Sequence, residues 1–170
     1  MLEIYKLNLL GHATETRKVR VDGSQSDTIS VGEAITLETD GNAIKLWGDG
    51  TPANALMFFG VVQSIIDNES GVTRDSVFPT TLPASHEGTL SVCIDPNATY
   101  AITGDDTLTV THIGSNMNLV ASGSYQLDVS TTSTDDRQFQ VIDIFTSVGT
   151  SNIFAVVKPH KQFFARTSGI

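Results

Sequence analysis

Four histidines and one cysteine are the side chains of this sequence best suited to catalysis or metal binding. His12, His86, His112 and His160 never occur in the His-x-x-x-His or His-Glu-x-x-His spacing of zinc sites. Cys93 alternates with apolar neighbours, which favours a buried thiol of a β-sheet over a nucleophile. A Gly-x-Ser-x-Gly turn and a glycine-rich phosphate loop are also missing from the sequence. We therefore predict a non-enzymatic protein with no catalytic residue, no cofactor and no dedicated metal site.

Two pairs of adjacent carboxylates are the remaining candidates for a cation site. Asp105-Asp106 and Asp135-Asp136 both lie in polar turns, where oxygen-rich loops can bind Ca²⁺. Neither pair has the Asp-x-Asp-x-Asp spacing of a dedicated calcium loop. The pattern favours Asx turns that end strands, and it leaves open whether Ca²⁺ is bound.

Aromatic side chains provide one further chemical possibility, which is stacking against a sugar ring. Trp47, Phe58 and Phe59 would line such a platform, and Tyr125 is a second centre for it. The whole sequence has only one Trp and three Tyr, and large aromatic side chains more often fill a core. Core packing is therefore the favoured interpretation, with a carbohydrate-binding or receptor-binding β-sandwich as the alternative.

The composition indicates a β-rich globular chain that must position these groups. Of 170 residues, 49 are β-branched, and only 17% are charged. β-branched side chains pack well on a pleated surface. Cys93 cannot form an internal disulfide, but the chain is long enough to bury a real core. The N-terminus lacks the pattern of a signal peptide, and no apolar run approaches ~18 residues, so we expect a soluble protein.

Alternating apolar and polar residues predict eight to ten short strands. The pattern is clear at 17–22, 29–38, 108–113 and 139–145, with turn residues between the segments. The apolar run 53–66 predicts a buried strand beginning near Leu56, with a bulge or close contact at Gly60, and a short helix over 53–59 is the alternative. The predicted fold class is all-β, an antiparallel β-barrel or β-sandwich of the β-tulip kind with extended N- and C-terminal segments.

The predicted organisation is one β domain with two arms. An N-terminal arm covers 1–20, the β domain covers 21–157, and a C-terminal tail covers 158–170. A polar segment rich in Ser, Thr and Pro predicts a long loop at 67–89, and loops of that length are usually functional or packed on a partner.

The charge of the chain is distributed unevenly between this domain and its ends. The formal net charge is -9, yet residues 1–20 and 158–170 are both basic. An acidic body repels phosphates and anionic lipids, so we expect no nucleic-acid partner and no membrane. The basic and aromatic residues of the ends are predicted to contact a partner protein or neighbouring copies. These residues are Arg17, Lys18, Arg20, Lys158, Lys161, Phe163, Phe164 and Arg166.

Three segments resemble the decoration, or cement, proteins that tailed bacteriophages place on their capsids. They are Ile29-Ser-Val-Gly-Glu-Ala-Ile-Thr-Leu-Glu-Thr-Asp-Gly-Asn, Phe58-Phe-Gly-Val-Val, and the strand pair Phe139-Gln-Val-Ile-Asp-Ile with Val156-Val-Lys-Pro-His. The resemblance covers about residues 29–164 and lies in the pattern rather than in one motif.

The resemblance implies a β-barrel or β-tulip module that clamps a viral shell against internal DNA pressure. Such modules usually assemble as homotrimers at the symmetry axes of the capsid. The implied partners are the major capsid protein and other copies of the chain, and the implied location is the outer surface of the virion. The resemblance does not identify individual contact residues in this sequence.

Overall fold

The computed structural model describes residues 6–10, 15–47, 58–69, 79–121, 125–130, 138–146 and 153–160. Within these ranges the regular structure consists of β-strands and a single 3-10 turn. All strand pairs in the described sheets are antiparallel. The predicted all-β antiparallel class is therefore confirmed. The strands are β1 Asn8–Leu9, β2 Thr16–Asp22, β3 Ile29–Ser30, β4 Ala34–Leu37, β5 Ala43–Lys45, β6 Gly60–Asp67, β7 Thr81–Leu82, β8 Glu87–Cys93, β9 Tyr100–Thr103, β10 Asn116–Met117, β11 Phe139–Thr146 and β12 Ile153–Pro159.

The chain divides into two compact units, each built from separate stretches of sequence. Unit 1 comprises Met1–His12, Trp47–Phe58 and Pro96–Ile170, and unit 2 comprises Ala13–Leu46 and Phe59–Asp95. The predicted boundaries at 20/21 and 157/158 fall inside β2 and β12. Strand pairing explains this placement, because β2 has its hydrogen-bonding partner in β8 and β12 lies between β9 and β11.

Unit 2 contains a five-stranded sheet in the order β2-β8-β6-β4-β5 and a short pair of β3 with β7. The pattern of β2 shows how the sequence produces the sheet, since Val19 and Val21 are buried while the residues before them are exposed. On neighbouring strands Ile35, Ile65 and Leu90 are buried as well. These side chains form the apolar core of the unit.

Gly60 marks a close approach between strands, as its place in the apolar run predicts. A Cβ atom at this position would lie 2.4 Å from the backbone oxygen of Cys93 on β8. Only glycine fits such a contact without displacing backbone. The register shift of the β6–β8 pair lies further along, between Val62 and Ser64. Of the alternative helix over 53–59, residues 53–57 lie outside the described residues, and Phe58 and Phe59 are not helical.

The long loop predicted at 67–89 is shorter than expected at both ends. Asp67 ends β6, and β8 begins at Glu87. Thr81 and Leu82 form β7, which pairs with Ile29 and Ser30 of β3. The polar composition concealed β7 because this strand has only two residues, of which Leu82 is buried and Thr81 exposed, so the segment shows no apolar alternation. Residues 70–78 lie outside the described ranges.

Unit 1 contains a five-stranded sheet in the order β1-β9-β12-β11-β10. Its centre is the β11–β12 pair, in which Phe139 lies opposite Pro159 and Thr146 opposite Ile153. A register shift between Val141 and Asp143 interrupts the pair, as in a β-bulge. Buried side chains of the unit include Tyr100, Ile102, Leu108, Met117, Phe139 and Val141.

Residues 108–113 correct one strand prediction. A strand was expected there with Leu108, Val110 and His112 on one face, but Val110–His112 form a 3-10 turn. The turn is closed by a bond from the Thr109 N–H to His112 Nδ1 at 3.0 Å, and Gly114 follows it at φ +88. Leu108 is buried, whereas Val110 points into solvent. Local capping by Thr and His therefore outweighs the alternating pattern.

The buried side chain of Gln138 and its neighbour Asn118 form hydrogen bonds to backbone groups that have no partner strand. Gln138 Oε1 accepts from the Leu119 N–H at 3.0 Å, and Gln138 Nε2 donates to the Trp47 carbonyl at 3.1 Å. The Gln138 N–H in turn donates to Asn118 Oδ1. Since burying an unpaired polar group is costly, these bonds help to hold the segment after β10, which on its other side makes an isolated antiparallel bridge between Leu119 and Leu127.

A buried ion pair has a similar role in unit 2. Lys45 Nζ lies 3.0 Å from Glu33 Oε1, and both side chains are almost wholly buried. The other carboxylate oxygen of Glu33 accepts from the Ser30 N–H at 2.8 Å. The pair thereby connects β5 to the tight turn between β3 and β4.

Replacing Lys45 by Met tests this pair, because the Glu33 carboxylate then stays buried without its cation. We expect K45M to lower the free energy of unfolding by about 3–5 kcal/mol, measured by urea denaturation. The double variant E33Q/K45M removes both charges and keeps an acceptor for the Ser30 N–H. It should recover at least half of the loss, whereas equal losses in the two variants would contradict a role for charge pairing.

The end of β2 is held by Asp22. Its Oδ1 accepts from the Ser24 hydroxyl at 2.6 Å and from the Ser24 N–H at 2.9 Å. Its Oδ2 accepts from Asn42 Nδ2 in the β4–β5 turn at 3.1 Å. The bonds from Ser24, through its side chain first and its backbone second, hold the pKa of Asp22 below its ordinary value of 3.8.

This lowered pKa predicts a pH dependence of stability. A group whose pKa is depressed by folding stabilises the native state above its unfolded pKa, and the stabilisation is lost as pH falls through the folded pKa. We therefore expect D22N to have a lower Tm than the wild type at about pH 6, and a smaller difference at about pH 2. Thermal unfolding at the two pH values measures this, and a difference independent of pH would exclude the proposed contribution.

Candidate functional site

The predicted contact residues that the structure describes are separated between the two units. Arg17, Lys18 and Arg20 lie exposed on β2 of unit 2. Arg20 is 3.6 Å from Glu87 across the β2–β8 pair. Lys158 lies half-buried on β12 of unit 1, opposite Gln140. The other predicted contact residues, Lys161, Phe163, Phe164 and Arg166, lie outside the described residues.

The cysteine and the described histidines each have surroundings of their own, and His12 lies outside the described residues. Cys93 is fully buried. His112 closes the 3-10 turn, and His160 lies 3.2 Å from the Asn116 amide. Among the described residues no group of three His, Cys, Asp or Glu side chains has the geometry to hold a metal ion.

His86 makes the one contact that resembles part of a catalytic arrangement. Its Nδ1 lies 2.9 Å from Asp67 Oδ2, and Asp67 Oδ1 accepts from the Glu69 N–H. A nucleophilic site also needs a hydroxyl or thiol within reach of the imidazole. The described bonds of His86 are this ring contact with Asp67, a bond from Gln25 Nε2 to the His86 carbonyl, and a bond from the His86 N–H to the Pro83 carbonyl. The pair therefore joins the end of β6 to the residue before β8.

The Asp105-Asp106 pair has the geometry of turn capping. Asp105 Oδ1 accepts from the Val129 N–H at 2.8 Å, and Asp106 Oδ1 accepts from the Thr107 N–H at 2.6 Å. Carboxylate oxygens engaged in this way stabilise turns. The second pair, at 135–136, lies outside the described residues.

The aromatic side chains considered for sugar binding are mostly packed inside unit 1 or unit 2. Phe58 and Phe59 are buried, and Phe58 meets Phe139 edge to face at 5.1 Å. Trp47 and Tyr125 do come together, with ring centroids 5.7 Å apart. Only 6% of Tyr125 is exposed, however, so the pair offers no open platform of two rings.

An exposed apolar surface on unit 1 is the strongest candidate site. It consists of Val110 and Ile113 on the 3-10 turn, with 70% and 45% exposure, and Ile142 and Phe145 on β11, with 36% and 49% exposure. We call these four residues the apolar surface. The turn and the strand are adjacent, because the Gly114 N–H donates to the Val141 carbonyl at 2.8 Å.

The apolar surface has a rigid support. The Val141 N–H donates to the Ser115 carbonyl at 2.9 Å, so two backbone bonds join the end of the turn to β11. Phe145 stacks on Phe154 of β12 with ring centroids 5.5 Å apart. Large apolar side chains that are exposed on a fixed backbone are typical of protein interaction sites.

Sequence reasoning missed this surface. The strand predicted at 108–113 has Val110 on the same face as Leu108, and the bulge at Ile142 has no sequence signature of its own. The signal available in the sequence was Gly114, which adopts a positive φ directly after the turn, together with Thr109 at the start of the turn.

No family model, no curated protein and no solved structure matches this chain. The resemblance of residues 29–164 to capsid decoration proteins consequently stays a prediction from sequence pattern. In the described residues there is also no helix with the length and hydropathy needed to span a membrane.

Paired substitutions at Leu108 and Val110 test the corrected structure of the turn. L108A removes a fully buried side chain and should lower the free energy of unfolding by about 2–5 kcal/mol. V110A removes an exposed one and should change it by less than about 0.5 kcal/mol. Urea denaturation measures both. Similar losses of stability in the two variants would contradict the 3-10 turn and would support a strand in which both side chains are buried.

Proposed function

We propose that this chain is a non-enzymatic structural protein of a bacteriophage virion. It decorates and stabilises the capsid by binding the outer shell, through the major capsid protein, and by binding neighbouring copies of itself as a homotrimer. The observation that carries the proposal is the apolar surface, because a protein that acts by docking needs exposed side chains on a rigid support.

The charge of the chain supports the same role. A net charge of -9 keeps decorated particles apart in solution and disfavours direct contact with packaged DNA. The β-rich architecture adds mechanical support, since its ladders fix the backbone on which the apolar surface lies. These features suit a protein whose work is binding.

Carbohydrate binding is the less favoured alternative. Trp47 is half-buried, Tyr125 is buried, and Phe58 and Phe59 are buried. Saturable glycan binding that W47A abolishes would favour this alternative over the structural role.

Co-sedimentation with empty shells tests the proposal. The shells are assembled from the major capsid protein encoded in the same genome, and the full chain is added at increasing concentration. We expect saturable binding that V110S/I113S weakens about tenfold or more, because truncating central apolar contacts costs at least ~1.4 kcal/mol.

The matched control is L10S, which removes another exposed apolar side chain, 44% exposed, outside the apolar surface. It should bind as the wild type does. Absence of wild-type binding to the shells would contradict the proposed function. Unchanged binding of V110S/I113S would show that the apolar surface is not the part of the protein that binds the shell.

A further inference from the structure

β11 extends beyond its outer neighbours in unit 1. β10 pairs with Phe139 and Gln140, and the 3-10 turn and the residues after it bond both backbone groups of Val141. The other side of β11 is paired with β12 as far as Thr146. Residues 142–146 therefore have no strand on their outer side in the part of the chain that the structure describes. We call residues 142–146 the β11 edge.

The bulge in β11 determines which backbone groups the β11 edge presents. Successive residues of an antiparallel strand direct their N–H and C=O groups to opposite sides. Val141 directs both groups outward, to the 3-10 turn and its following residues. The extra residue before Asp143 shifts the alternation, so Ile144 and Thr146 direct their groups outward. The Ile144 N–H accordingly donates to an exposed side-chain atom, Asp143 Oδ1, at 2.8 Å.

The side chains of the β11 edge combine exposed apolar groups with one negative charge. Ile142 and Phe145 belong to the apolar surface, and Asp143 between them is exposed. Asp143 and Phe145 are two residues apart, so they stand on the same face of the sheet. Opposite charges and apolar pairs are the favourable cross-strand contacts. A strand that fits this face therefore has a cation opposite Asp143 and an apolar side chain opposite Phe145.

We propose that an extended segment of a partner protein adds to the β11 edge as an antiparallel strand. An antiparallel strand passes Phe145 two residues before it passes Asp143. The segment therefore reads as an apolar residue, any residue, and then Lys or Arg. The inference rests on the proposed function, in which the partner is the major capsid protein, and it specifies how the shell engages the β11 side of the apolar surface.

Asp143 both protects the free edge and selects its occupant. Charged side chains commonly keep exposed edge strands from pairing with other chains, and the Asp143 carboxylate occupies the Ile144 N–H in this way. A carbonyl of the incoming strand replaces the carboxylate at that N–H. The released carboxylate then pairs with the cation of the segment, so a charge-assisted contact offsets the lost bond. A second copy is a poorer occupant, because each chain has a net charge of -9.

Two synthetic peptides test the selectivity of the edge without the shell. One is Thr-Val-Thr-Val-Thr-Lys-Thr-Val, and the other has Glu in place of Lys. Titration into the labelled full chain, followed by fluorescence, should show about threefold or more tighter binding of the Lys peptide, because like charges directly opposite are destabilising. D143K should reverse the preference. E38K is the matched control, since it makes the same change of charge at an exposed site outside the β11 edge, and it should keep the preference.

A proline tests the backbone pairing on the shell itself. I144P removes the outward N–H, and proline is tolerated where the N–H of an edge strand faces solvent. It should weaken co-sedimentation with empty shells about fivefold or more, through the lost hydrogen bond and the bulk of the ring. I144V keeps the N–H and should bind as the wild type does. Circular dichroism checks that each variant is folded, and D143K, which should also weaken shell binding, decides the result if I144P is not.

The possible results separate this inference from the proposed function. Absence of peptide binding, or a Lys preference that D143K leaves unchanged, would overturn strand addition. Shell binding that neither I144P nor D143K weakens would overturn it as well and leave the capsid function intact. A wild-type chain that binds the Lys peptide but no shells would contradict only the capsid function. A native mass that I144P lowers to the single chain, measured by light scattering, would assign the edge to a second copy and overturn the assignment to a partner protein.

Discussion

The structure depends on pairing the backbone N–H and C=O groups that folding removes from water. Antiparallel ladders do this for the sheets of both units, and the surrounding side chains follow from the register of those ladders. Where a ladder ends, the chain has unpaired backbone at an edge. The residues to which we assign the docking function lie at one such place, where β11 extends beyond its pairing with β10 and the 3-10 turn bonds β11 instead.

Polar side chains form hydrogen bonds to backbone groups that no neighbouring strand pairs. Gln138 bonds backbone groups of Leu119 and Trp47, while Glu33 bonds the Ser30 N–H and is neutralised by Lys45. Each contact removes the cost of an unsatisfied buried group and holds an irregular segment in one conformation. These contacts fix irregular segments within each unit without a disulfide, as the single cysteine requires.

The fold class was predictable because alternation and β-branched residues report strands directly, as Val19 and Val21 on β2 illustrate. Gly60 was likewise recognisable as a close contact. The division into two units was not predictable, since cross-strand partners such as β2 and β8 are distant in sequence. The apolar surface was missed because a local Thr109–His112 bond overrides the alternation that puts Val110 on the same face as Leu108. The basic residues of β2 were visible from sequence, but their position on an edge strand was not.

The central claim is that the exposed side chains of unit 1 are a docking surface. Hydrogen–deuterium exchange of the full chain, free and bound to empty shells, tests it most directly because it reports each segment separately. The account predicts slower exchange at residues 109–115 in the bound state, with smaller changes on the strands of unit 2 that are already paired. Slower exchange confined to segments away from the apolar surface would contradict it.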